Sequence, residues 1–158
     1  MGDADKAVKI RLQRSFAATP EQVFDAWVIP TLLGNWMFGP KVRREEIISL
    51  ENTPRVGGMF SYVVQRDGHT INHIGRFLEI RRPEKLQFTW GIEGEGGDNS
   101  TVLLSLLQEQ GKTRLQLVHE LPGDYAHYAE QVKQSWAHMC DALTTLLNKK
   151  SSQQSLLR

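Results

Sequence analysis

The chain has 158 residues, with nineteen basic and eighteen acidic side chains, a formal charge of +1 and a single cysteine. This length suits one domain that buries about two-thirds of its unfolded surface, and the balanced charge, free of long runs, offers no footprint for nucleic acid or an anionic membrane. Cys140 alone excludes an internal disulfide and a multi-cysteine zinc cage, while the polar start from Met1 to Lys6 and the absence of any run near 18 apolar residues point to a cytoplasmic protein without membrane insertion.

Val8, Ile10, Leu12 and Phe16 alternate with polar residues, the period-two pattern of a half-buried strand. Arg14 is the charged exception on its inner face. Thr19-Pro20-Glu21-Gln22 opens a helix, with Thr19 as N-cap, Pro20 at the first helical position and Gln22 placed to close a capping box. Val23, Phe24 and Trp27 form its buried side. Pro30 ends that helix and begins another, whose Leu32, Leu33, Trp36 and Met37 face the same core.

Val42 to Leu50 reads as a charged edge strand, where charge discourages edge-to-edge pairing. Gly57-Gly58 precedes a strand carrying Phe60, Tyr62 and Val64, and Asp67-Gly68 is a hairpin turn because glycine accepts the positive φ needed there. Ile71 to Ile80 is the return strand. Arg82-Pro83-Glu84 turns the chain into Leu86, Phe88 and Trp90. A glycine-rich connection from Gly91 to Asn99, read as a rim over a cavity mouth, leads to Val102, Leu104 and Leu106. After the turn Gln110-Gly111-Lys112, a last strand carries Leu115, Leu117, His119 and Leu121.

Pro122-Gly123-Asp124 then introduces the longest periodic segment. From Tyr125 to about Asn148, the residues Tyr128, Val132, Trp136, Met139, Leu143 and Leu146 recur at steps of three and four and form one helical stripe. Such a helix is about 36 Å long and needs a broad apolar partner. The economical architecture is an α+β helix-grip: a curved antiparallel sheet of about six to seven strands around a long C-terminal helix, with two short helices after the first strand. The domain is read as residues 1–148, followed by a polar tail over residues 149–158.

The segments Phe16 to Trp27, Leu33-Gly34-Asn35-Trp36, Gly57-Gly58, Gly75-Arg76-Phe77-Leu78-Glu79-Ile80, Pro83-Glu84-Lys85-Leu86 and Phe88-Thr89-Trp90 together resemble the bacterial homologues of the activator of heat-shock protein 90 ATPase, within the START-like (SRPBCC) helix-grip superfamily. The resemblance runs from about Val8 to Leu147. It implies a deep apolar cavity for lipids, sterols, polyketides or aromatic molecules, and a few members catalyse cyclisation or hydrolysis. Where many relatives carry two adjacent tryptophans before Gly-Pro, this chain has Trp36-Met37-Phe38-Gly39-Pro40, which keeps the bulk in a more adaptable form.

The candidate ligand-binding residues are the aromatics Trp36, Phe60, Tyr62, Phe88, Trp90 and Trp136, with Trp27 in the same aromatic set, and Arg14 and His119 as polar contacts. Plain core packing accounts for each aromatic taken singly. A buried Arg14 requires a carboxylate, for which Glu46 and Glu79 are candidates, or several acceptors, and a neutral His119 with one hydrogen bond to Tyr62 or a backbone carbonyl is an acceptable core group. His69 with His73, His127 with Glu130 and His138 with Asp141 are two-residue sets lacking a convergent third ligand, so no metal and no cofactor is expected. Cys140 reads as an inert buried thiol. The leading function is binding of a small apolar or aromatic ligand by a monomer or weak dimer. A protein-interaction module for a chaperone in stress response, and a cyclase or hydrolase with an inward acid-base pair, are the alternatives.

Overall fold

The computed structural model describes residues 6–156, with side chains as far as residue 149. Residues 1–5 and 157–158 lie outside the described residues, and the expected polar tail continues the backbone of the last helix as far as Leu156. Seven strands, β1 (Val8–Phe16), β2 (Glu46–Asn52), β3 (Met59–Arg66), β4 (His69–Arg81), β5 (Lys85–Ile92), β6 (Gly97–Glu109) and β7 (Lys112–Leu121), form one antiparallel sheet in the order β1-β7-β6-β5-β4-β3-β2. All but the β1–β7 pair are sequential hairpin neighbours. Two short helices, α1 (Pro20–Ala26) and α2 (Pro30–Trp36), follow β1, and the long helix α3 (Ala129–Leu156) closes the chain. This is the expected α+β helix-grip.

Local chemistry accounts for the boundaries. Thr19 Oγ1 accepts from the Gln22 amide at 3.1 Å while Gln22 Oε1 accepts from the Thr19 amide at 2.9 Å, the reciprocal capping box read from the sequence. Asp67 and Gly68 both take positive φ, as do Gln110 and Gly111, so each two-residue turn matches the twist of its flanking strands. A bidentate ion pair from Arg82 to Asp25 ties the β4–β5 turn to α1.

Three boundaries differ from expectation. The charged edge strand starts at Glu46 rather than Val42, because Val42 packs into the core and Glu45 turns inward to two arginines. The Gly91–Asn99 connection shrinks to residues 93–96, since Gly91 lets the Gly97 carbonyl lie where a Cβ would otherwise stand and the strands pair through to Ile92 and Gly97. The last helix begins at Ala129, after a 3-10 turn over Gly123–Tyr128, so Tyr128 stands outside the α-helical stripe and is exposed.

The core lies between the concave face of the sheet and the helices. Phe16, Phe77, Leu86, Leu104, Leu115, Leu117 and Leu143 are almost wholly removed from water, and α3 packs chiefly on β1 and α2. Arg14 stands at this seam, half-buried, with Nε 3.9 Å from Asp141 of α3. Its expected partners are otherwise placed: Glu46 is exposed and Glu79 meets Arg81 and Lys85.

The concave wall also requires Gly75. A Cβ there would overlap both the Thr89 carbonyl oxygen and the Phe60 ring, two groups on neighbouring strands that cannot both withdraw. Gly75→Ala is expected to lower unfolding stability by about 3 kcal/mol through overpacking, measured by urea titration; a change below about 0.5 kcal/mol would show that the Phe60 ring yields freely.

Candidate functional site

A cavity of about 660 Å³ opens between the N-terminal half of α3 and the strands that curve away from it. α3 contributes Val132, Trp136 and Met139, β4 and β5 contribute His73 and Trp90, and Phe38 comes from the segment after α2. Tyr125 and Tyr128 stand at its mouth, and the turn after β5 supplies Glu95. The stripe of α3 thus divides its labour. Leu143 and Leu147 fill the core, whereas Val132, Trp136 and Met139 face the opening.

Of the residues expected to bind ligand, Trp90, His119 and Trp136 line this cavity. Phe60, Tyr62 and Phe88 form a layer behind it: Phe60 stacks on Tyr62 with centroids 4.7 Å apart, meets Phe88 edge-on at 5.7 Å and lies 5.8 Å from Trp90. Trp36 is buried beneath, donating Nε1–H to the Ala26 carbonyl at 2.8 Å and meeting Trp27 edge-on at 4.5 Å. Arg14 is outside the lining. The buried Trp27 indole N–H has no acceptor among the described residues.

His119 sits in a directional chain of hydrogen bonds. Trp136 Nε1–H donates to His119 Nδ1 at 2.9 Å, His119 Nε2 lies 2.8 Å from Ser100 Oγ, and Ser100 Oγ donates to the Trp90 carbonyl at 2.6 Å. An indole nitrogen can only donate. Nδ1 must therefore be the acceptor and Nε2 the protonated nitrogen, whose N–H donates to Ser100 Oγ. The expected partners, Tyr62 or a backbone carbonyl, are replaced by Trp136 and Ser100; Tyr62 instead accepts from Asn52 at 2.8 Å. Ser100 was missed by sequence reasoning, although it shares the inward row of Val102, Leu104 and Leu106 and lies diagonal to His119 across the β6–β7 ladder.

This chain bears on the acid-base alternative. A histidine that activates serine must offer a lone pair to the hydroxyl, yet here the imidazole offers a proton. Charging His119 would also set an N–H against the Trp136 N–H. Burial pushes its pKa down to about 4, so it is a neutral structural link. Cys140 is equally unsuited to nucleophilic work, since burial pushes its thiol up to about 12.

His73 was read with His69 as one strand face, but His69 is exposed and His73 is buried. Its Nδ1 lies 3.0 Å from the Tyr62 carbonyl, which fixes the proton on that nitrogen, and its ring meets Phe38 at 4.8 Å and Trp90 at 5.5 Å. Burial pushes its pKa down to about 4, opposed by the Tyr62 carbonyl and aided by Arg66. Nε2 is left as an acceptor without a protein partner among the described residues. His138 holds the Val42 carbonyl at 2.8 Å, and no group of three potential metal ligands occurs among the described residues.

The cavity also borders a charge cluster. Glu45, whose side chain is fully buried, accepts at Oε2 from the Gly39 amide at 2.8 Å and Arg43 Nη1 at 2.9 Å, and at Oε1 from Arg66 Nε and Nη2 at 3.0 and 2.7 Å. Burial alone would raise its pKa, but the Gly39 amide and the two guanidiniums outweigh it and hold the carboxyl below its usual range. Arg43 also donates to the Met37 carbonyl at 2.9 Å. Both arginines line the cavity. Glu45 and Arg66 are far apart in sequence, so no local pattern announces the pair.

This architecture defines the helix-grip class of cavity-bearing domains. The sequence profile described as activator of Hsp90 ATPase homolog 1-like protein matches residues 17–148, and the chain belongs to that family. A search of curated proteins finds no match. Among solved structures, a Rhodobacter sphaeroides protein is 26% identical over 89% of this chain and 93% of its own, with a TM-score of 0.76. Protein CV1439 of Chromobacterium violaceum is 25% identical over 88% and 96%, with a TM-score of 0.75. Protein NE0264 of Nitrosomonas europaea, at 20% identity over 92% and 97% and a TM-score of 0.77, shares the fold.

The buried histidines generate a pH dependence. Both have folded pKa values of about 4 against an ordinary 6.5, so the unfolded chain binds more protons between those values. Their contribution is complete above about pH 6.5 and lost as pH falls towards 4, on the order of 3 kcal/mol for each. Urea midpoints measured from pH 7.5 to 4.5 are expected to fall across this window, with uptake approaching two protons on unfolding; a flat profile would mean that neither histidine is held neutral.

Proposed function

We propose that this protein binds a small apolar or aromatic molecule in the cavity between α3 and the sheet. The observation that carries the reading is the opening of about 660 Å³ walled by Phe38, Trp90, Trp136 and Met139, within the size range of small-molecule sites. A dry void of even 300 Å³ would cost about 7 kcal/mol, comparable to a domain's whole stability. The space is therefore filled by water or by a ligand, and an aromatic ligand releases that water from aromatic surface. Binding is favoured over a hydrolase built on the His119–Ser100 pair, because His119 has its proton on the wrong nitrogen to activate Ser100.

The second reading, contact with another protein such as a chaperone, draws on the family's description and on one surface. Edge strand β2 leaves Ile47 and Ile48 exposed, and Val56 and Met59 stand exposed beside it. This contact would be insensitive to changes inside the cavity.

A thermal-shift screen of delipidated protein against fatty acids, sterols, flavonoids and other aromatic compounds tests the leading reading. A ligand at a hundredfold over its dissociation constant contributes about 2.7 kcal/mol and is expected to raise Tm by roughly 5–10 °C. Trp90→Ala, confirmed folded by circular dichroism, should abolish the shift. A shift that survives Trp90→Ala would place the ligand elsewhere, and no shift in cooperatively unfolding protein would favour the β2 surface.

A further inference from the structure

The charge cluster beside the cavity leaves donors unused. Arg43 spends Nη1 on Glu45 and on the Met37 carbonyl, which leaves Nε and Nη2 without an acceptor among the described residues. Arg66 spends Nε and Nη2 on Glu45, which leaves Nη1. The Glu45 carboxylate has both oxygens occupied by four donors. Two guanidiniums around one carboxylate retain a net charge of +1.

These arginines are also immobilised. Each is held by Glu45, whose own position is set by the Gly39 amide, so little rotamer entropy remains to be lost when a further acceptor arrives. No other lining group carries a positive charge. His119 and Ser100 are satisfied within their own chain, Asn99, Gln131 and Ser135 are neutral, and the rest of the wall is largely aromatic and aliphatic. Glu95 is the one carboxylate in the lining and stands exposed in the turn after β5. His73 offers an acceptor, so a neutral part of the ligand, or water, belongs against it.

We propose that the cavity selects an aromatic acid, with the ring lying against Trp90 and Trp136, whose own rings meet at 5.7 Å, and the carboxylate on the free N–H groups of Arg43 and Arg66. The inference rests on the cavity reading above and adds the charge of the ligand. Glu45 acts as a positioning residue that aims the two guanidiniums.

Naphthalene-2-carboxylate and naphthalene-2-carboxamide, alike in shape and different in charge, test it by isothermal titration of the full chain at pH 7.5. The carboxylate is expected to bind about tenfold more tightly in 50 mM salt, and the preference to collapse in Arg43→Gln, where Arg66 keeps its bonds to Glu45. A second measurement needs no variant. Raising salt from 50 to 500 mM should weaken carboxylate binding severalfold and leave the amide nearly unchanged. Equal affinities for the two compounds would overturn the acid preference and leave the cavity reading intact. Binding of neither would overturn both. A preference that persists in folded Arg43→Gln and ignores salt would also overturn the assignment to the arginines.

Discussion

The grip of helix on sheet turns on one chain of hydrogen bonds. From Trp136 through His119 and Ser100 to the Trp90 carbonyl, it crosses from α3 to β7, β6 and β5 with every donor aimed the same way. The direction is imposed at its first link, because an indole nitrogen cannot accept. Once that link is made, the histidine tautomer, the serine rotor and the orientation of the Trp136 ring follow. In an interior of low dielectric such a satisfied chain rigidifies, whereas a broken one would leave buried polar groups unpaired. The same chain forms part of the cavity wall, so that wall is polar in composition yet largely spent in hydrogen-bonding capacity.

Around this fixed point the interior separates into layers. Phe60, Tyr62, Phe77 and Phe88 pack ring against ring behind the cavity, and Trp27, Trp36 and Trp136 link the short helices to α3. These layers support the lining rather than furnish it. Beside the neutral polar groups of Asn99, Gln131 and Ser135, the unspent capacity that is held in place by other contacts lies with Arg43, Arg66 and His73, a small number of oriented groups in an opening rich in aromatic side chains. That combination is how small-molecule sites achieve orientation without sacrificing burial. The Glu45 cluster serves stability as well, because removal of the carboxylate would strand two guanidiniums around a desolvated amide.

Much of the fold was legible because it is written at short range. Thr19 and Gln22 are three residues apart, Asp67-Gly68 and Gln110-Gly111 are adjacent, and the α3 stripe repeats every three or four residues. Two of the misread boundaries were set by contacts that the local pattern does not carry. Glu45 left the expected edge strand for Arg66, and the rim loop shortened because Gly91 and Gly97 approach across a ladder. The candidate site was legible in kind and less so in membership. Trp90, Trp136 and His119 were found as inward or stripe residues, while Phe60, Tyr62 and Phe88 face inward yet lie one layer too deep, a distinction that periodicity cannot make.

The amino-acid sequence by itself determined the element order, the helix-grip class and the aromatic character of the interior, because periodicity, caps and turn chemistry act between near neighbours. Only the tertiary structure decided which inward residues meet open space and which meet one another. Arg14 shows the difference: its inward place in the strand was readable, but its position against Asp141 at the helix seam, rather than in the cavity, depends on how α3 crosses the sheet. The tautomer of His119 and the free N–H groups of Arg43 and Arg66 were decided there too, since hydrogen-bond capacity is consumed by whichever partners the fold brings within about 3 Å.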